Sequence, residues 1–136
     1  MNPFIITAVF GFIILANPVF GQKAKVELNT VDHAGILRQL GSKNFAKGQA
    51  IYNNLCINCH GNDGKTPALP IARAFGTGEL KFGVDPYSMF QTLTKGNGLM
   101  GPQTWMTPQE RYDTIHYIHE KFMKPMHPKY QALTPH

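Results

Sequence analysis

Apolar positions along this chain follow several different periods, and each period predicts a different element. Residues 4–16 form a nearly unbroken apolar run, ended by Asn17-Pro18 and followed by Val19-Phe20-Gly21. The run falls short of the roughly 20 residues a spanning helix needs. Val19 and Gly21 are small enough for the −3 and −1 positions of a signal peptidase site. The pattern therefore predicts a signal peptide over residues 1–21, removed after Gly21. No Lys or Arg precedes the run, so the amino terminus alone supplies positive charge, and an uncleaved membrane anchor is the competing reading. No cysteine stands at the cleavage position, which argues against a lipoprotein.

Residues 22–41 form a charged N-terminal extension that ends in the short apolar pattern Ile36, Leu37, Leu40, readable as a short helix or a linker. Helical spacing then sets in: Ser42 is a plausible N-cap, and Phe45, Gly48, Tyr52 and Leu55 recur into Cys56. Gly61-Asn62-Asp63-Gly64 is a turn cluster, followed by an irregular loop containing Pro67 and Pro70. Asp85-Pro86 opens a helix over residues 86–95 that Gly96 closes. Residues 96–105 read as a loop. Thr107-Pro108-Gln109-Glu110 is a capping box with proline at the first helical position, and the helix it opens runs to about Met123, where Lys124-Pro125 ends it. On that last helix Ile115, Ile118 and Phe122 form one stripe while Tyr117 projects elsewhere, so two of its sides are buried. Gly48 would let the first and last helices approach closely, with Tyr52 against Tyr117. The expected organisation is a signal peptide (1–21), an extension (22–41), one all-α domain of about three to five helices (42–124) and a C-terminal tail (125–136).

The stretch NLCINCHGNDG, residues 53–63, carries the chemistry. As a disulfide, Cys56 and Cys59 would close a very small loop and staple nothing. A zinc site needs about two further strong ligands. The chain has only these two cysteines, and His33, His116, His119, His127 and His136 form no convincing second pair. A thioredoxin-like motif would want alternating strands and helices around it. What remains is covalent haem c attachment. Two thiols on one helical turn can add to the two vinyl groups of a porphyrin, and His60 then falls beneath the iron. One such motif implies one haem. A chain of 136 residues with 13 Gly and 10 Pro has a marginal core, and a covalently held haem would staple it.

The region 42–123 resembles a class I cytochrome c. That family carries a glycine and an aromatic four apart ahead of CxxCH, matched by Gly48, Tyr52 and Cys56, and an aromatic on the last helix that crosses the first, matched by Tyr117. The resemblance implies a small cytochrome c fold around one haem c bound through Cys56 and Cys59, with His60 as one axial ligand. It implies a loop methionine as the sixth ligand. GLMGPQTWMTPQERYDTIHYI offers Met100 and Met106; Met100 fits as ligand and Met106 as a packing residue, although Gly101 intervenes before Pro102. The family's proximal histidine donates its second nitrogen to a backbone carbonyl, usually of a proline, so Pro67 and Pro70 are candidates, with Pro67 preferred. Residues 72–125 also look like cytochrome modules of planctomycete-type bacteria, often parts of larger proteins.

The remaining residues add less. Trp105 could lie against a haem edge and reach a propionate through its N–H, or serve as a core aromatic. Arg73 could pair with a propionate, though a solvated surface arginine is the simpler expectation. His116 and His119 have ligand spacing but read as a helix-surface feature, and His33 lies upstream of the domain without an assigned role. The net charge is +5, from 13 basic and 8 acidic residues. The lysines are scattered, which excludes a nucleic-acid patch and suits docking to acidic redox partners. The expectation is an exported, periplasmic one-electron carrier with no small-molecule substrate. The alternatives are a haem subunit of a larger dehydrogenase or oxidase, or a haem enzyme with a displaceable sixth ligand. A four-helix gas-binding cytochrome is disfavoured because its motif lies near the C-terminus.

Overall fold

The computed structural model describes residues 30–77 and 79–126. The expected signal peptide and its cleavage site lie outside the described residues. Among the described residues six short α-helices follow in order: α1 (His33–Arg38), α2 (Ser42–Ile51), α3 (Ile57–His60), α4 (Pro86–Lys95), α5 (Pro108–Ile118) and α6 (Lys124–Met126), with a 3-10 turn at Phe75–Thr77. Single π-turns, Tyr52–Cys56 and His119–Met123, join α2 to α3 and α5 to α6 into two longer rods. No strand occurs among the described residues, only an isolated bridge between Asn97 and Met100. The fold is all-α, as expected.

Local chemistry sets the helix ends. The Asp85 carboxylate accepts from the Ser88 N–H at 2.9 Å, Pro86 follows it, and Gly96 at φ +77 stops α4. At α5 the capping box is reciprocal: Thr107 N–H donates to Glu110 Oε2 at 2.8 Å, and Glu110 N–H to Thr107 Oγ1 at 3.2 Å. Ser42 differs from expectation. It is the first helical residue and Gly41 is the cap, its N–H donating to Asn44 Oδ1 at 3.1 Å. Pro125 also differs, since it lies within α6 rather than beyond the helix. The π-turn before it shifts the helical register by one residue.

The core is the crossing of α2 over α5. A Cβ on Gly48 would run into the carbonyl oxygen of Asp113 and the Cβ of Tyr117, so the two backbones touch. Tyr52 and Tyr117 rings lie 5.3 Å apart, Phe45 is 5.2 Å from Tyr117, and Phe122 is 5.2 Å from Tyr52. Tyr117 is buried, not a surface tyrosine. Burying such rings contributes about 1.5–3 kcal/mol each, and favourable ring pairs add roughly 0.5–1.5 kcal/mol. Asp113, also buried, accepts from Asn44 Nδ2 on α2 and from Gln109 Nε2 on its own helix at 2.8 Å each, so the Asn44 bond ties the same crossing.

Within the described part of the extension, His33–Arg38 form a helix. His33 hydrogen-bonds the Tyr112 hydroxyl at 2.7 Å, and its ring meets Tyr87 and Phe90 edge-on at 4.9 and 4.8 Å. His33 thus fastens α1 to α4 and α5, a role the sequence reading did not assign.

Gly48→Ala should destabilise the folded protein by about 1–3 kcal/mol or more, because the added methyl meets backbone that cannot yield. Thermal unfolding of the purified protein measures it. An unchanged midpoint would contradict the close crossing.

Candidate functional site

The α2–α3 rod ends in Cys56, Cys59 and His60. Gly61 terminates it at φ +75, a conformation only glycine adopts cheaply; a side chain there would also strike the Thr66 carbonyl. Tyr52, buried on the same rod, donates its hydroxyl to the Gly61 carbonyl at 2.7 Å. The Asp63 carboxylate accepts from the N–H groups of Thr66 (2.7 Å) and Lys65 (2.8 Å), bonds that hold its pKa below the usual carboxylate value. This turn brings the following segment back beneath His60. His60 Nδ1 lies 3.0 Å from the Arg73 carbonyl oxygen, and Phe75 stacks on the imidazole at 4.6 Å. The carbonyl is that of Arg73, neither Pro67 nor Pro70. With Nδ1 so engaged, Nε2 is the ring nitrogen that could hold a metal.

Met100 arrives from the loop between α4 and α5. Asn97 and Met100 exchange two backbone hydrogen bonds, of 2.8 and 3.1 Å, around Gly98 at φ +60. Gly96 lets this turn fold onto α4, since a Cβ there would come within 2.6 Å of the Met100 carbonyl. Met100 and His60 line the same two adjoining cavities. The larger, about 620 Å³, runs past Cys56, Cys59 and Trp105. The smaller, about 90 Å³, ends against Met89, Ile115 and Ile118. Cofactor pockets typically occupy roughly 300–1,000 Å³, so the volume suits a flat macrocycle.

Cys56 and Cys59 are free thiols. Burial, and secondarily the neighbouring Cys59, push the Cys56 thiol up to about 11. It is therefore protonated at neutral pH and not an activated nucleophile. Among the described residues no group of three His, Cys, Asp or Glu side chains gathers around a metal position. Two thiols at one edge, a ring nitrogen and a thioether around an apolar slot fit haem c.

Other expected residues fall differently. Met106 is buried and lines the larger cavity but not the smaller one. Trp105 is not a core aromatic: it is 59% exposed at the cleft mouth, and its indole N–H donates to Gln103 Oε1 at 3.1 Å. Arg73 is exposed along the cleft, and its backbone oxygen is what engages His60. His116 and His119 do not act as a pair. His116 meets Phe45 edge-on at 6.2 Å. His119 is buried, with Nε2 3.0 Å from the Met89 sulfur. The sequence reading also missed Arg111, which lies on the stripe of Ile115, Ile118 and Phe122, and only a charged residue at that period could have flagged it.

Fold and site together define a small all-α, mono-haem class I cytochrome c, a class that holds haem c covalently through a cysteine pair such as Cys56 and Cys59. Residues 43–118 match the family model described as cytochrome C oxidase, cbb3-type, subunit III, and the chain belongs to that family of haem-based electron-transfer domains. No curated protein and no solved structure matches the chain.

Burial depresses His119 to a pKa of about 4, the Val84 backbone opposing only in part. The unfolded chain would bind that proton near pH 6.5. Stability from this group is therefore whole above about pH 6.5 and falls as pH drops toward 4, by about 3 kcal/mol. Denaturation across this range should show the loss, and His119→Gln should flatten it. An equal slope in both proteins would contradict a buried neutral imidazole.

Proposed function

We propose that the protein is an exported cytochrome that carries single electrons between redox proteins, with haem joined through Cys56 and Cys59 and ligated by His60 and Met100. The observation that carries this reading is that His60 and Met100, from separate elements, line one apolar slot. Haem supplies the Fe(III)/Fe(II) couple, and a thioether ligand favours Fe(II) and raises the potential relative to two nitrogen ligands. The chain's own residues do the rest. The Arg73 carbonyl holds the His60 ring, Ile115 and Ile118 exclude water from the floor, and Trp105 stands at the mouth. Because His60 and Met100 are both held by the protein, a haem bound between them would gain or lose an electron with little rearrangement, and no substrate would need to reach it. The net charge of +5 suits acidic docking partners, and the apolar leader suits a mature periplasmic chain beginning at Gln22.

A second reading, that the domain is a haem subunit of a larger oxidase or dehydrogenase, is favoured by the description of the matched family. Purification under mild conditions separates the two: a lone carrier elutes alone, a subunit with its complex.

Met100→Ala should abolish the far-red charge-transfer band of Met-ligated ferric haem and admit carbon monoxide to the reduced iron. Met106→Leu should keep the band at little cost in stability, since the change roughly conserves volume. The reverse pattern would refute the ligand assignment. The wild type should show reversible one-electron voltammetry and negligible turnover of hydrogen peroxide; substantial turnover with Met100 still bound would favour the enzyme reading.

A further inference from the structure

Gln103 is the knot of the loop that carries Met100. Its N–H donates to the Leu93 carbonyl at 2.7 Å, and its carbonyl accepts from Met106 N–H at 3.1 Å. Its side chain donates to the Gly101 carbonyl at 2.7 Å and accepts from Trp105. Arg111, only 6% exposed, reaches this knot from α5. Its Nε and Nη2 both donate to the Gln103 carbonyl, at 3.3 and 3.1 Å, and Nη1 donates to Thr94 Oγ1 at 2.8 Å. Thr94 in turn donates to the Phe90 carbonyl on α4 at 2.7 Å, and the guanidinium carbon stands 5.3 Å from the Phe90 ring centroid. Among the described residues no carboxylate lies within ion-pair distance of Arg111. A guanidinium stays charged under such conditions. Burying one against neutral acceptors costs free energy that a surface position would not, so helix solubility does not explain it.

We propose that Arg111 is the positioning residue of the sixth-ligand loop, its fork joining the loop to α5 and to the end of α4 so that the Met100 thioether stays in the slot. The inference rests on the proposed ligation by Met100. Each charge-assisted hydrogen bond contributes enough that losing one should raise loop opening about tenfold. Lysine keeps the charge but cannot present the planar fork.

The test is the rate at which imidazole displaces the thioether from the ferric holoprotein, followed by loss of the far-red band. Three variants are compared with wild type: Arg111→Lys, Arg111→Met, and Asn44→Ala as a control. The control removes a helix–helix hydrogen bond away from the loop. Both Arg111 variants should speed displacement about tenfold or more, with Asn44→Ala within about twofold of wild type. If Arg111→Met fails to fold with haem, Arg111→Lys carries the test. Wild-type rates in the Arg111 variants, or an acceleration that Asn44→Ala shares, would overturn the proposal. An Arg111→Lys rate equal to wild type would do the same, by showing that charge alone suffices. A wild type lacking the band would instead sink the Met100 assignment, and the loop proposal with it.

Discussion

The close contact of α2 and α5 at Gly48 is the constraint from which the site follows. Without a side chain at that position the Asp113 carbonyl and Tyr117 come against the α2 backbone. Protein interiors are stiff, so a contact of this kind fixes both distance and angle between two rods. Past the crossing, one rod delivers Cys56, Cys59 and His60 to the cleft, and the other lays Ile115 and Ile118 along its floor. Tyr52 belongs to both systems. Its ring packs on Tyr117 and Phe122, and its hydroxyl holds the carbonyl of Gly61, the residue directly after His60.

Between the rods the chain is irregular, and its polar groups must be satisfied without a ladder. They are satisfied by a few side chains acting over short spans. Asp63 closes the turn after the motif, and the Asp85 carboxylate and the Thr107–Glu110 pair start the helices that flank the Met100 loop. Loops placed in this way on rigid helices can hold ligands with little regular structure of their own.

What was legible in the sequence was what has a local cause. Proline after a capping residue located the starts of α4 and α5, and the bounds of α4 matched. Glycine and tyrosine spaced four apart ahead of Cys56 anticipated the helix crossing because only a missing side chain permits it. The Arg73 carbonyl was not legible, since a backbone oxygen carries no residue signature and which one meets His60 depends on how tightly the Asp63 turn closes. Trp105 lies in a loop with no period from which to infer burial. Spaced three from His116, His119 reads as a helix-surface residue, whereas a π-turn begins at it and the residue faces Met89. His33 and Arg111 were missed for a shared reason: each is polar by type yet built into an aromatic cluster around Phe90.

The two sides of the slot are held by different kinds of force. His60 adjoins Cys59 in the chain, so a ligand there is tethered by covalent geometry and by the Arg73 carbonyl; moving it would break the rod. Met100 lies 40 residues away, on a turn of two backbone hydrogen bonds whose remaining ties run through Gln103 to Leu93 and Arg111. Such bonds are each worth little net, and they open together when their common anchor is lost. Under the proposed ligation by these two residues, the histidine side would set where the iron sits. The methionine side would set how readily its coordination changes. Variation in potential or in access to the metal should therefore arise from the residues that hold residues 96–106, most of them on α4 and α5, and not from the motif that binds the haem.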